Sequence, residues 1–206
     1  SITYLTMLTL LLLLPIAGAL IVGLFPGNIE AKRLRQITEL FAILTLIWSL
    51  LVLFKFDLTI SQFQFQESLP WIPQLGLSYS LGIDGVSLPL IILNSLLTGI
   101  AIYSIGPNLD RSRLYYALIL LINAGISGAL MSQNLLLFII FYELELIPFY
   151  LMIAIWGGEK RGYASMKFLL YTAFSGLLVL AAFLGIGLLG GNGSFDYNTQ
   201  ITDGFT

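Results

Sequence analysis

Two glutamates stand where an otherwise apolar run should have none. The stretch from Leu135 to Trp156 is almost wholly hydrophobic, yet Glu143 and Glu145 fall near its midpoint. In a helix crossing a bilayer, a charge at that depth costs on the order of 2.5 to 3.5 kcal/mol to insert. Low-dielectric surroundings favour the neutral acid, which brings such a carboxyl toward proton exchange near neutral pH. Proton transfer is therefore the chemistry this pair points to. Residues two apart lie on nearly opposite sides of a helix, so the two cannot share a proton as one dyad. One is expected to face a hydrated interior and the other a neighbouring helix or subunit. Pro148 offers no N–H to the carbonyl of Leu144, which predicts a bend and a freed carbonyl suited to ordered water. The competing reading pairs the glutamates with basic residues on adjacent helices, but the chain has few intramembrane cations to supply.

Three further charged residues need a role. Lys167 sits about one turn inside the last apolar run, where it either takes part in proton transfer or snorkels to the interface as an anchor. Asp84, ahead of Gly85, Val86 and Ser87, is most simply a helix N-cap and remains a possible site residue. Glu39 lies close to Arg33 and Arg35 and is expected to pair with them at the interface.

The elements that must position these side chains follow from composition. Of 206 residues, 58% are apolar and 10% charged, more apolar surface than a water-soluble domain of this length can hide. The solvent is lipid. Crossing roughly 30 Å of hydrocarbon takes about 20 apolar residues, and six stretches qualify: Leu5 to Phe25, Ile37 to Phe54, Val86 to Ser104, Leu114 to Met131, Leu135 to Trp156 and Ala164 to Leu189. The first lacks the basic flank and short core of a signal peptide. Lys32, Arg33, Arg35, Arg111, Arg113, Lys160 and Arg161 all fall in loops on one side of such a bundle. The positive-inside rule places that side in the cytoplasm, with the N-terminus and the polar tail 190–206 outside.

Between the second and third spans, Phe63 and Phe65 alternate with Gln62, Gln64 and Gln66. Leu75, Leu77, Tyr79 and Leu81 alternate in the same way after Pro70 and Pro73. Period two around a turn predicts an outer-surface β-hairpin near 58–82. The fold expected is thus an all-α polytopic membrane protein with one hairpin. Residues 1–113 hold helices one to three and the hairpin, and 114–206 hold helices four to six with the tail. The chain contains no cysteine and no histidine, so no thiolate cluster, haem ligand or metal site is expected. Phosphate loops, dinucleotide fingerprints and nucleophile elbows are absent. Gly125, Gly128, Gly176, Gly185 and Gly187 lie inside spans and suit close helix packing.

The strings Tyr142-Glu143-Leu144-Glu145-Leu146-Ile147-Pro148-Phe149-Tyr150, Trp156-Gly157-Gly158-Glu159-Lys160-Arg161 and Lys167-Phe168-Leu169-Leu170-Tyr171-Thr172 resemble one family. It is the antiporter-like chain 4 subunit of complex I, in its cyanobacterial and chloroplast NAD(P)H-quinone oxidoreductase form. Gly82-Ile83-Asp84-Gly85-Val86-Ser87-Leu88 fits the same pattern. The resemblance implies about fourteen helices with two inverted five-helix repeats, of which the present chain would hold the N-terminal part and open the first repeat. It implies that Glu143 matches the essential intramembrane glutamate and Lys167 a lysine of the sixth helix. Glu145 belongs to the photosynthetic-type motif. The partner lysine of a broken seventh helix is not among these residues, which suggests part of a longer subunit.

The implied activity is proton translocation driven by quinone reduction elsewhere in a complex. NAD(P)H or ferredoxin, iron–sulfur clusters and plastoquinone would belong to partner subunits, with no cofactor in this chain. Partners would be other membrane subunits, including other antiporter-like ones, and lipids, with no nucleic acid. The membrane would be a cyanobacterial thylakoid, with basic loops on the cytoplasmic or stromal side. Two rival functions are a multisubunit cation/proton antiporter and a purely structural scaffold.

Overall fold

A computed structural model describes residues 6–106, 108–189 and 195–196. Segments rich in Leu, Ile, Ala and Phe form α1 (Met7–Leu24), α2 (Ala31–Lys55), α3 (Ser87–Tyr103), α4 (Ser112–Met131), α5 (Leu135–Trp156) and α6 (Arg161–Leu189). Five of these are long and apolar enough to cross a membrane, while α3, with 17 residues, is shorter. At 1.5 Å per residue it reaches about 25 Å. The expected start of the first span, Leu5, and most of the tail 190–206 lie outside the described residues.

Two helix starts lie three or more residues earlier than the hydropathy predicts. Helix α2 begins at Ala31 rather than Ile37, and α6 at Arg161 rather than Ala164. Hydropathy ends a span where charge begins, but Lys and Arg are good helix formers whose stems run along the bilayer edge. Lys32, Arg33 and Arg35 therefore ride on a helix rather than in a loop.

Because lipid is as apolar as the core, the bundle is sorted by size and polarity more than by hydrophobicity. Leu40, Ile43, Leu93 and Leu97 are exposed, whereas Thr38, Thr45, Ser49, Ser95, Asn123 and Ser127 are buried. The threonine hydroxyls donate back to their own helix, Thr38 to the carbonyl of Leu34 and Thr45 to that of Phe41, each at 2.8 Å. Helix α4 is the hub, packing against α1, α2, α3 and α5, and α6 packs on α5. Gly18 permits part of this: a Cβ there would come within 2.7 to 2.9 Å of Phe41 and Leu120.

The expected hairpin is present. Strands β1 (Gln64–Ile72) and β2 (Leu77–Ile83) pair antiparallel through a 3₁₀ turn at Pro73–Leu75. Gly76 closes that turn with φ of 70°, a left-handed conformation that suits glycine. The register shifts at two places, between Pro70 and Ile72 beside the turn and between Gln64 and Glu67, where Phe65 also takes a positive φ of 55°. The irregularity between Gln64 and Glu67 turns the Glu67 side chain inward, to 3% exposure.

Asn134 ties the hairpin to the helices. Its Oδ1 caps α5 by accepting from the N–H groups of Leu136 and Leu137 at 3.0 and 3.2 Å. Its Nδ2 donates to the carbonyl of Gly76 and the carboxylate of Asp196 at 3.0 and 2.9 Å. Beside it the Gln133 N–H donates to the Ser80 carbonyl at 2.8 Å. Replacing a capping asparagine by alanine costs about 0.5–2 kcal/mol, and here the half-buried Asp196 contact is lost as well. Asn134→Ala should therefore lower the melting temperature of the detergent-solubilised assembly, with hydrogen exchange rising at the hairpin and the start of α5.

Candidate functional site

Helix α5 carries both glutamates past a neighbour on either side. Glu143 faces α6 at Gly176: a Cβ at that position would overlap the Glu143 carboxyl. Glu145 faces α4 at Gly125, where an added Cβ would lie 2.7 Å from Glu145 Cγ. The divergence expected from their spacing is thus present, and a glycine leaves room for the Glu143 carboxyl on one side and for the Glu145 stem on the other. Neither is fully buried. Among the described residues neither has an ion-pair partner. Of the glycines expected to serve close packing, Gly128 does so by receiving the Phe141 ring and Gly187 that of Phe195, whereas a Cβ at Gly185 would meet nothing.

Glu145 also borders a cleft of about 210 Å³ lined by Tyr142, Leu146 and Phe149 of α5 and by Phe168 and Thr172 of α6. Room for water beside an intramembrane carboxylate is what proton exchange requires. Pro148 lies buried inside α5 one turn below Leu144, so that carbonyl has no helical N–H to receive.

Lys167 is not brought to the glutamates. It lies nine residues before Gly176 on α6, about 13 Å along the axis and half a rotation around it. Its exposed side chain stands between the rings of Tyr163 and Tyr171, with Nζ 5.8 and 5.9 Å from their centres. These contacts hold the ammonium on the outer face of α6.

Asp84 caps α3. Its Oδ1 accepts from the N–H of Val86 at 3.1 Å and of Ser87 at 2.8 Å, while its own N–H donates to Ser87 Oγ at 3.0 Å. Burial pushes its carboxyl upward, but these hydrogen bonds outweigh that and hold it below the usual carboxylate range. Glu39 departs from expectation: among the described residues it forms no ion pair, and its buried Oε2 accepts no hydrogen bond. Arg35 donates instead to the carbonyl of Ile105 at 3.4 Å.

Glu67 escaped the sequence reading, since a glutamate among glutamines and serines reads as a solvated strand face. Its carboxyl sits at the start of α1, accepting from the Leu8 N–H at 3.2 Å and from the Thr9 hydroxyl, which also contacts Tyr79 Oη at 2.9 Å. Nothing in the sequence places it near α1, whose first N–H groups need acceptors, because that contact joins segments far apart in the chain. Burial raises its carboxyl above the usual range, against the lowering effect of the Thr9 and Leu8 bonds, and burial likewise raises Tyr79. A raised carboxyl favours the folded state most when protonated, so this contribution is present at acid pH and lost as pH rises through the folded-state value. Limited proteolysis of the hairpin should therefore quicken from pH 5 to pH 8, and Glu67→Gln should flatten that dependence.

Residues 132–205 match the family model described as NADH:quinone oxidoreductase/Mrp antiporter, transmembrane. NAD(P)H-quinone oxidoreductase chain 4 of Prochlorococcus marinus (strain NATL1A) is 41% identical over 191 residues, covering 92% of this chain and 36% of that protein. The chain 4 2 protein of Thermosynechococcus vestitus is 40% identical over 190 residues, with the same coverage. The chain thus spans about a third of the length of these relatives. Among solved structures, a chain of respiratory complex I from Thermus thermophilus superposes with a TM-score of 0.80 at 26% identity, over 95% of this chain and 39% of that one. A chain of the Mrp complex from Dietzia sp. DQ12-45-1b gives 0.78 at 20% identity over 95% and 21%, a likeness of fold.

Proposed function

The chain is homologous to the antiporter-like chain 4 subunits of NAD(P)H-quinone oxidoreductases, and on that premise we propose that it forms part of a proton-translocating membrane-arm subunit. The observation that carries this reading is the pair of α5 carboxylates, each seated opposite a glycine and unpaired with any described cation, one beside an open cleft. Glu143 is the proton-transfer residue. Glu145 exchanges protons with water in the cleft, Pro148 leaves an acceptor next to them, and Asp84 acts through the start of α3. Lys167, on the far face of α6, would act on a group beyond this helix rather than directly on Glu143.

In this reading all six helices span the membrane, α3 with local thinning. The basic loops face the cytoplasm or stroma and the hairpin faces the thylakoid lumen. Residues 1–113 form an N-terminal block, and 114–206 open the first inverted repeat of the longer subunit. The electron donor, NAD(P)H or ferredoxin, the iron–sulfur clusters and plastoquinone belong to partner subunits, and other antiporter-like subunits flank this one. Moving a proton against the potential takes about 2.3 kcal/mol per 100 mV, so the work must come from those partners. The test is the intact complex in sealed vesicles: proton uptake should follow addition of donor and quinone and cease without either.

The likeness to an Mrp complex chain supports a second reading, a cation/proton antiporter subunit. Cation-driven proton movement by the purified assembly without any redox donor would favour it.

A further inference from the structure

Glu39 on α2 also lies beside a glycine of the neighbouring helix, here at ordinary contact distance rather than in a gap that a Cβ would close. Its Oε1 lies 3.5 Å from where a Cβ on Gly99 of α3 would stand. It sits eight residues into α2, about 12 Å from the helix start. Its other oxygen, Oε2, is buried without a hydrogen-bond partner, and so is Ser95 Oγ. Ser95 is only 1% exposed, and both residues line one cleft of about 250 Å³ between α2 and α3.

Apart from Tyr103, the rest of that cleft, including Ala42, Leu46, Leu96 and Ile100, is apolar. Buried polar atoms are almost always satisfied by protein or ordered water, and no described side chain supplies a partner here. Water needs about 30 Å³ in the liquid and two or more polar partners, and this cleft has both the room and the partners. A second cleft of about 250 Å³ lies toward the basic end of α2, lined by Lys32, Arg35, Ser112 and Tyr116. Arg35 and Glu39 are one turn apart, so they face successive clefts along the same side of α2.

From this geometry we infer that Glu39 is a third proton-exchanging carboxylate, holding ordered water with Ser95 and served from the basic-loop face through the cleft at Arg35. The charged and titratable groups nearest the route are Lys32 and Arg35 on α2, Tyr103 on α3 and Tyr116 on α4. This site stands apart from the α5 carboxylates and does not depend on their role.

Cysteine accessibility in the intact complex tests it, since these 206 residues contain no cysteine. A hydrophilic, membrane-impermeant methanethiosulfonate reagent reacts with thiolate, which forms only where water reaches. Added on the basic-loop side, it should modify Ser95→Cys at least about tenfold faster than Leu93→Cys, a control on the exposed apolar face of α3. Ala42→Cys, on the same cleft, is a second reporter should the first variant fail to assemble. Equal rates at cleft and control positions, or modification only from the opposite side, would overturn the inference. So would a density map resolving waters elsewhere in the membrane arm that showed the cleft filled by a lipid tail or Glu39 paired with Arg35.

Discussion

Glu143→Gln in the otherwise intact complex should leave assembly and quinone binding in place and reduce proton translocation by about 10²-fold or more, the usual loss when a positioned proton-transfer group is removed. Glutamine keeps the size and hydrogen-bonding capacity of the side chain, so the gap at Gly176 stays filled and α5 and α6 stay packed. Only the exchangeable proton is lost. The measurement is the proton-to-electron ratio in sealed vesicles, taken alongside the amount of assembled complex. A normal ratio with normal assembly would end the pump reading for this residue, and a normal ratio with poor assembly would indicate a scaffold. Glu145→Gln offers an internal comparison, because its carboxyl faces a different helix and an open cleft.

A second large effect is expected from a change that removes no chemical group at all. In Gly176→Ala the new methyl would occupy the place of the Glu143 carboxyl. That carboxyl is the end of a flexible chain, so it can swing away at small structural cost, and alanine is the better helix former. The subunit should therefore assemble normally and melt no lower than the parent. Proton translocation should still fall, by as much as about 10²-fold, because misplacing a reacting group by 1 Å can cost that much. A stable Gly176→Ala complex that pumps at the parental ratio would show that the position of Glu143 against α6 is immaterial. Gly185→Ala, where an added Cβ meets nothing, should have no effect and controls for the substitution itself.

Much of this architecture was legible in the residues. Hydropathy located the helices because each long apolar run reports its own solvent, whatever packs beside it. The hairpin was legible because strand periodicity and a proline turn are local signals. Helix starts at Ala31 and Arg161 were missed because a scale that counts charge against a span cannot see basic residues lying along the interface. For Glu39 the expected nearness to Arg35 is present as a charge interaction, but no close ion pair forms among the described residues. Nearness in sequence to Arg33 and Arg35 suggested an ion pair, but the Arg35 guanidinium reaches the carbonyl of Ile105, a contact set by how α3 ends against α2.

By itself, the sequence determined that this is a membrane protein, that α5 carries two diverging carboxylates at mid-depth, and that a proline frees an acceptor beside them. All three follow from residue type and helical spacing within one segment. Only the tertiary structure decided that each carboxylate lies against a glycine of the next helix, that Lys167 stands on the far side of α6, and that Glu67 and Asn134 hold the hairpin down. In a bilayer both the core and the lipid face of a helix are apolar. The pattern of one helix therefore carries little information about its rotation, and only the packing of its neighbours settles which side chains meet.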